Sequence, residues 1–365
     1  MSWDVAIIGG GPAGTASAIS LRQTFPALRV LVIEATDYTS LRVGEVLPPV
    51  ARALLQHLGV LPALTAEFGE PAHSVACAWG SEQLRETNHF YASRGTGWHL
   101  ERNRFDALLA TRAELSGVEV RRSTALRAVA RINDAWTLQL GTRDQVEARW
   151  IIDATGRAAV FARMQGGRRI SQDSLTAFSC IFSGRGACEA RTVVESAADG
   201  WWYTTPLPQG RRIVAFLTDA DIGRRLHMAD TPQWKRQLAT TIHIASLAAG
   251  CSSVGRLVVR PAASASLDSV HGDGWLATGD AAAAFDPLSS QGITNALRSG
   301  ILASYAAGDA LCRNDSVALS RYTAVLSVQR QSYERTYIEQ YAREQRWSES
   351  PFWMRRHGAE YRDCS

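Results

Sequence analysis

Gly9, Gly11 and Gly14 stand in the spacing Gly-x-Gly-x-x-Gly, with Pro12 and Ala13 between the last two. The first glycine permits a tight turn, and the second leaves room for backbone N–H groups to approach a pyrophosphate. The third lets a helix pack closely on a strand. Glu34 lies 20 residues beyond Gly14, where a carboxylate can accept hydrogen bonds from ribose hydroxyls. Two later runs also end a strand in a turn of small residues: Ile151-Ile152-Asp153-Ala154-Thr155-Gly156 and Leu276-Ala277-Thr278-Gly279-Asp280-Ala281-Ala282. Read alone, each could be a strand cap, and the first loop could be a glycine-rich turn of another α/β protein. Six cysteines (77, 180, 188, 251, 312 and 364) are scattered without a C-x-x-C pair, so spacing offers no metal or redox motif.

The elements that must position these residues follow from periodicity. Trp3 to Ile8 and Arg29 to Ile33 read as strands around a helix from Ala16 to Leu21, a βαβ unit with the glycine loop at its first turn. A helix is expected over Phe105 to Leu115, and strands near Val118 to Arg121, Thr137 to Leu140, Trp150 to Ile152 and Trp275 to Ala277. Residues Leu175 to Thr218 alternate like sheet, and Thr231 to Leu247 reads as one helix with Pro232 in its first turn. Helices run from near Gly292 to the C-terminus. The nucleotide-binding signals fall in three separated stretches, so the second domain is inserted rather than appended.

Composition narrows the function classes. A chain of 365 residues exceeds one small module, and 46% hydrophobic with 20% charged residues excludes wholesale disorder. No apolar run reaches the ~18 residues of a membrane helix. The apolar start, Val5 to Gly14, lacks the basic flank of a signal peptide. A net charge of +4 argues against a dedicated nucleic-acid surface. Free thiols fit a reducing, cytoplasmic setting. Lys235 is the one lysine in the chain, so any lysine chemistry has a single candidate.

Together the three fingerprints resemble those of FAD-dependent monooxygenases of the para-hydroxybenzoate hydroxylase type, and the likeness spans most of the first 300 residues. It implies an α/β protein: a Rossmann-like FAD-binding domain of the glutathione-reductase type, an inserted sheet-rich substrate domain and a helical C-terminus. The expected boundaries are 1–70, 96–170 and 255–312 for FAD binding, 71–95 and 171–254 for substrate, and 313–365 for the terminal helices. The resemblance assigns to the cofactor Gly9, Gly11, Pro12, Ala13, Gly14, Glu34, Arg42, Arg102, Asp153, Gly156, Gly279, Asp280, Pro287, Gly292 and Ile293. Arg102 opens an Arg-x-x-Phe-Asp pattern ending at Asp106, and Asp280 would bond the ribityl chain. Asp286-Pro287 through Gly292 would run along the flavin ring.

A closer branch shows in Val43-Gly44-Glu45-Val46-Leu47-Pro48-Pro49, similar to the G-E-x-x-x-P segment of flavin-dependent tryptophan halogenases, and in Gly200-Trp201-Trp202-Tyr203-Thr204-Thr205-Pro206, a degraded form of their G-W-x-W-x-I-P motif. Halogenases carry a lysine after the first segment. The comparable stretch here, His73 to Trp79, has none. What remains resembles the halogenase-like flavoproteins that modify a peptidyl tryptophan to mature cysteine tryptophylquinone. That resemblance implies hydroxylation of an indole or peptidyl tryptophan through a flavin C4a-hydroperoxide, with O2 as co-substrate. Glu45, His73 and His99 are the polar candidates for catalysis. The bland alternatives are a helix cap for Glu45, a surface loop for His73 and a satisfied strand histidine for His99. Trp79, Trp98, Trp201, Trp202 and Tyr203 are candidates for an aromatic substrate pocket, or else ordinary sheet core. No second glycine fingerprint appears, so electrons would come from visiting NAD(P)H or a partner flavin reductase. The substrate is an aromatic small molecule or a tryptophan-containing protein. Halogenation, prenyl-chain reduction and a non-catalytic FAD-binding escort are the alternatives. The basic stretch Arg343 to His357, with Trp347, Phe352 and Trp353, is either a docking surface or a packed terminal helix.

Overall fold

The computed structural model describes residues 2–40, 42–68, 71–72, 74–88, 96–141, 144–184, 190–315 and 317–358. Five strands run parallel in the order Glu119–Arg121, Val30–Ile33, Ser2–Ile8, Asp144–Asp153, Trp275–Ala277. Their apolar runs, such as Val5 to Ile8 and Val30 to Ile33, are buried, as a sheet covered on both faces requires. An antiparallel pair, Leu126–Ile132 and Ala135–Leu140, extends the same sheet from Asp144–Asp153. The register sets Ile8 beside both Ile33 and Asp153, and Asp153 beside Ala277. In a parallel sheet every carboxyl end lies on one edge. The turns at Gly9, Glu34, Ala154–Gly156 and Thr278–Asp280 therefore converge there.

Two helices abut that edge. Helix Pro12–Thr24 packs against Gly292–Arg313 through small side chains, Ala13, Ala16, Ser17 and Ser20. Contact is close enough that a Cβ on Gly300 would overlap the Ala13 carbonyl. Ser17 Oγ donates to the Gly300 carbonyl at 2.9 Å, and Ser304 donates to Ser20 at 2.7 Å. Buried hydroxyls thus find partners, as a dry helix interface demands.

A second sheet has seven strands in the order Ser252–Pro261, Leu175–Ser183, Arg211–Asp219, Gly200–Leu207, Thr192–Ala197, Ser74–Ala78, Arg85–Asn88. Strand alternation divides it into two faces. Phe178, Trp202, Val214 and Phe216 pack on Trp234 of helix Thr231–Leu238. Trp201, Ala215 and Leu217 face the other way, toward Tyr333, Tyr337 and Tyr341 of helix Ala318–Tyr341 and Trp353 of helix Pro351–His357.

Two expectations need correction. Residues 255–261, expected with the nucleotide-binding part, pair with Leu175–Ser183 in the second sheet. The single helix over Thr231 to Leu247 is two, Thr231–Leu238 and Ile244–Ala248. The break has a cause: Thr240 and Thr241 hydroxyls bond back to the carbonyls of Gln237 and Leu238, and the N–H groups of Ile242, His243 and Ile244 all donate to the buried Glu195 carboxylate. Of the two readings of the basic C-terminal stretch, the packed helix holds over Pro351–His357. Phe352 and Trp353 are fully buried, and Arg356 reaches Asp219 at 2.9 Å. Trp353→Ala should therefore cost about 3–5 kcal/mol, the range for a truncated core aromatic, measured as a lower urea midpoint.

Candidate functional site

A cavity of about 650 Å³ starts in the glycine turn and ends against the second sheet. Gly9, Gly11, Pro12, Ala13 and Glu34 line one end, and Trp201, Tyr203, Ile213, Ala215 and Leu217 the other. Gly9 has φ +104°, and a Cβ there would overlap the Ala154 carbonyl. A Cβ on Gly14 would overlap Gly9 itself, whereas one on Gly11 meets nothing within 4 Å. The first and third glycines thus hold the turn together, and the second keeps a groove open. That groove lies at the N-terminus of helix Pro12–Thr24, where free N–H groups and the positive dipole end favour an anion.

Glu34 is buried and positioned by a dense set of donors. Gly10 N–H reaches Oε2 at 2.7 Å, while Thr36 N–H (3.0 Å), the Thr36 hydroxyl (2.6 Å) and Arg42 Nη2 (2.7 Å) reach Oε1. Arg42 also bonds Asp106 at 2.7 Å, and Asp106, fully buried, takes Arg102 Nε at 3.1 Å. Arg102 in turn donates to the Val43 carbonyl at 2.7 Å. This chain of ion pairs fixes the segment from Arg42 to Val46 along the cavity wall.

Glu45 sits on that segment, 5% exposed, its carboxylate accepting the Gly44 N–H at 2.9 Å and a hydrogen bond from the Tyr203 hydroxyl. It caps no helix: the next helical turn starts at Pro49 with Pro48 before it. Burial pushes the Glu45 carboxyl above the usual carboxylate range, against the pull of Gly44 N–H and Arg102. Burial, then the nearby Glu45 charge, pushes the Tyr203 phenol up as well. On the far wall, Trp201 Nε1 donates to the Tyr341 hydroxyl at 3.1 Å, which donates to Asp286 Oδ2 at 2.8 Å. Burial, and then the charge of Asp173, pushes Asp286 up to about 6.

The other expected site residues divide clearly. Gly156, Asp280, Pro287, Gly292 and Ile293 line the cavity, as do Arg42 and Arg102. Asp153 and Gly279 do not. The Asp153 carboxylate is spent inside the protein on Thr155 and the Ala162 N–H. His99 is also off the cavity, its Nδ1 3.2 Å from the Thr205 hydroxyl. His73 lies outside the described residues.

Of the five aromatic candidates, Trp201 and Tyr203 face the cavity. Trp202 points to the opposite face because neighbours on a strand alternate. Trp98 is buried beneath the guanidinium of Arg52, 4.8 Å from its ring. Trp79 packs edge-on behind Trp201, with ring centroids 6.4 Å apart. The lining residue missing from the expectation is Arg157, and Asp286 entered it only as part of the segment along the flavin ring. Arg157 lines the cavity and bonds the Phe285 carbonyl at 3.0 Å. The period of two would have selected Trp201 with Tyr203. Arg157 follows Gly156 directly but belongs to no pattern that singles it out.

A family model described as an FAD binding domain matches residues 2–304. The LodB protein of Marinomonas mediterranea, assigned as an FAD-dependent oxidoreductase, is 32% identical over 367 residues, spanning 98% of this chain and 97% of its own. The flavin-dependent halogenase CmlS superposes with a TM-score of 0.85 at 23% identity, covering 98% of this chain and 68% of its own. The peptidyl tryptophan dihydroxylase QhpG does so with a TM-score of 0.79 at 24% identity, covering 98% and 79%.

Asp286 makes a testable contribution to stability. Its folded pKa of about 6 lies above the ordinary ~3.9 of an unfolded aspartate. The folded state therefore holds an extra proton between those values, and stability falls as pH rises through the window. Asp286→Asn should gain on the order of 2 kcal/mol relative to the parent between about pH 4 and 6, then stay level, by denaturant unfolding at each pH.

Proposed function

The chain belongs to the family of FAD-binding domains, and from that premise we propose that it is an FAD-dependent monooxygenase that hydroxylates the indole of a tryptophan carried in a peptide or protein. The observation that carries this reading is the continuity of one cavity from the glycine cradle to an aromatic wall holding a buried acid. The cradle fits the cofactor. Gly11 leaves the groove open, the N-terminus of helix Pro12–Thr24 faces it, and Glu34 and Asp280 line it as ribose and ribityl partners. Arg42, Arg102 and Arg157 add positive charge along its length. Bound FAD, once reduced, supplies the electrons that activate O2 for insertion into the substrate.

The chain's own residues do the rest. Trp201, Ile213 and Leu217 form an apolar wall that an aromatic ring can cover, excluding water from the reacting edge. Glu45, held by Gly44 N–H and Tyr203, accepts the indole N–H and draws electron density onto the ring carbon that reacts. His99 reaches the site through Thr205, the strand neighbour two places on from Tyr203, which makes it a positioning residue.

LodB and QhpG support a redox role, and the activity of QhpG as a peptidyl tryptophan dihydroxylase supports a peptidyl tryptophan substrate. Halogenation finds less support despite the likeness to CmlS. Lys235 is exposed on helix Thr231–Leu238, bonds Ser253 Oγ at 2.8 Å and is not among the cavity's lining residues. The electron donor we propose is NAD(P)H or a partner reductase.

Mass spectrometry after reaction with reduced FAD, O2, chloride and a panel of indoles and tryptophan peptides tests this reading. An added oxygen on an indole is expected, and a chlorinated product would replace hydroxylation with halogenation. Gly11→Val should fold with unchanged circular dichroism but bind FAD weakly, since its side chain enters open groove rather than packed protein. Normal flavin content would remove the cradle from Gly11. Glu45→Gln should lower kcat by about 10²-fold and erase the acidic limb of the pH profile. That limb should lie above the ordinary carboxylate range, because burial raises Glu45, and activity should rise as Glu45 loses its proton.

A further inference from the structure

Strand Ser252–Pro261 ends the seven-stranded sheet and, among the described residues, hydrogen-bonds on one side only, to Leu175–Ser183. At 10 residues it is long for an edge, where natural strands usually run about 5–6 and exposed edges are guarded. One guard is present. Register with the neighbouring strand shifts between Val254 and Val258, around Gly255 at φ +81°. Beyond that bulge, Val258 to Pro261 pairs regularly with Thr176 to Ser179. Val259 there is 40% exposed. The strand then runs into the cavity, since Arg260, Pro261 and Ala262 line it beside Ala177 and Ser179.

The charge on this edge has one sign. Arg256 and Arg260 are exposed, and neither has a carboxylate partner among the described residues. Lys235 reaches the same strand through Ser253. Some other surface arginines do find acids, as Arg225 does in Asp199 and Arg355 in Asp221. The outer edge has no strand partner, though Arg260 Nη1 donates to the Val259 carbonyl at 3.2 Å, and such an edge beside cations without carboxylate partners suits an extended acidic segment.

We propose that this edge docks such a segment of the protein substrate. The segment adds as an eighth strand, its carboxylates meet Lys235, Arg256 and Arg260, and a tryptophan just beyond the paired stretch enters the cavity past Pro261. The inference rests on the reading of a tryptophan-bearing polypeptide as substrate and adds how that polypeptide is held. Strand addition leaves a signature that simple charge attraction lacks. Only alternate amides of the incoming chain face the edge, so blocking one set must matter and blocking the other must not.

The probe is a synthetic peptide of alternating Glu and Val ending in Gly-Trp-Gly, bound to the FAD-loaded protein and followed by fluorescence anisotropy. Two further peptides carry N-methyl groups on one or the other alternate set of amides, and a fourth has Lys for Glu. The expected result is about tenfold weaker binding for one methylated peptide and not the other, and for the Lys peptide. Arg256→Glu should weaken the acidic peptide and favour the Lys peptide, while turnover of N-acetyltryptophanamide stays unchanged. Equal binding of both methylated peptides and the parent overturns strand addition. A concentration-dependent dimer abolished by Arg256→Glu overturns it too, assigning the edge to a second copy of the chain. Phase-selective binding without oxygen gain on the peptide supports the docking edge and overturns the hydroxylation reading instead.

Discussion

Asp106 is a fully buried carboxylate, and the site depends on how it is satisfied. Removing such a charge from water costs several kcal/mol, so it is tolerable only with good partners. Arg42 and Arg102 supply them, and each has a second obligation: Arg42 to Glu34, Arg102 to the Val43 carbonyl. One buried charge thereby ties helix Arg102–Leu115, the end of strand Val30–Ile33 and the loop bearing Glu45 into one rigid unit. Glu34 and the segment bearing Glu45 are therefore set by the same network.

The second sheet serves the cavity with one face and the fold with the other. Trp201, Tyr203, Ile213, Ala215 and Leu217 turn toward the site. Trp202, Val214 and Phe216 turn away, and with Trp234 they form a core that keeps the sheet flat against its own helices. Adjacent tryptophans in one strand therefore have unrelated roles, and a substitution at either would be misread if both were treated as pocket.

The parallel sheet and its glycine turn were legible in the sequence because local pattern and global position agree there. A buried strand, a turn that only glycine permits and a helix of small residues leave few alternatives. Glu34 was legible for the same reason. Asp153 misled because a carboxylate after a strand satisfies two different needs, a ligand or the N–H groups of the following turn, and spacing does not separate them. The aromatic wall was half legible. Its segment stood out, but assigning Trp202 with Tyr203 ignored the alternation that the sheet imposes. His99 and Trp98 depend on contacts with residues far along the chain, such as Thr205, and no local pattern encodes those. The break after Leu238 likewise depends on Glu195, a distant carboxylate that competes for the helix's own N–H groups.

The wall behind Trp201 has a consequence for how the molecule is made. Trp201 is backed by Tyr341 and Trp353, and Asp286 is held by the Tyr341 hydroxyl. The strands of the parallel sheet are themselves drawn from both ends of the chain, from Ser2–Ile8 to Trp275–Ala277. A ribosome releasing this chain therefore holds most of the protein before any complete cavity exists. Contacts of such long sequence separation form late and slowly. Until helix Pro351–His357 emerges, the aromatic strand lacks its backing and a hydrophobic face stands open. Helix Pro351–His357 acts as a latch on the aromatic strand, and the cavity wall is fully backed only once that helix has docked.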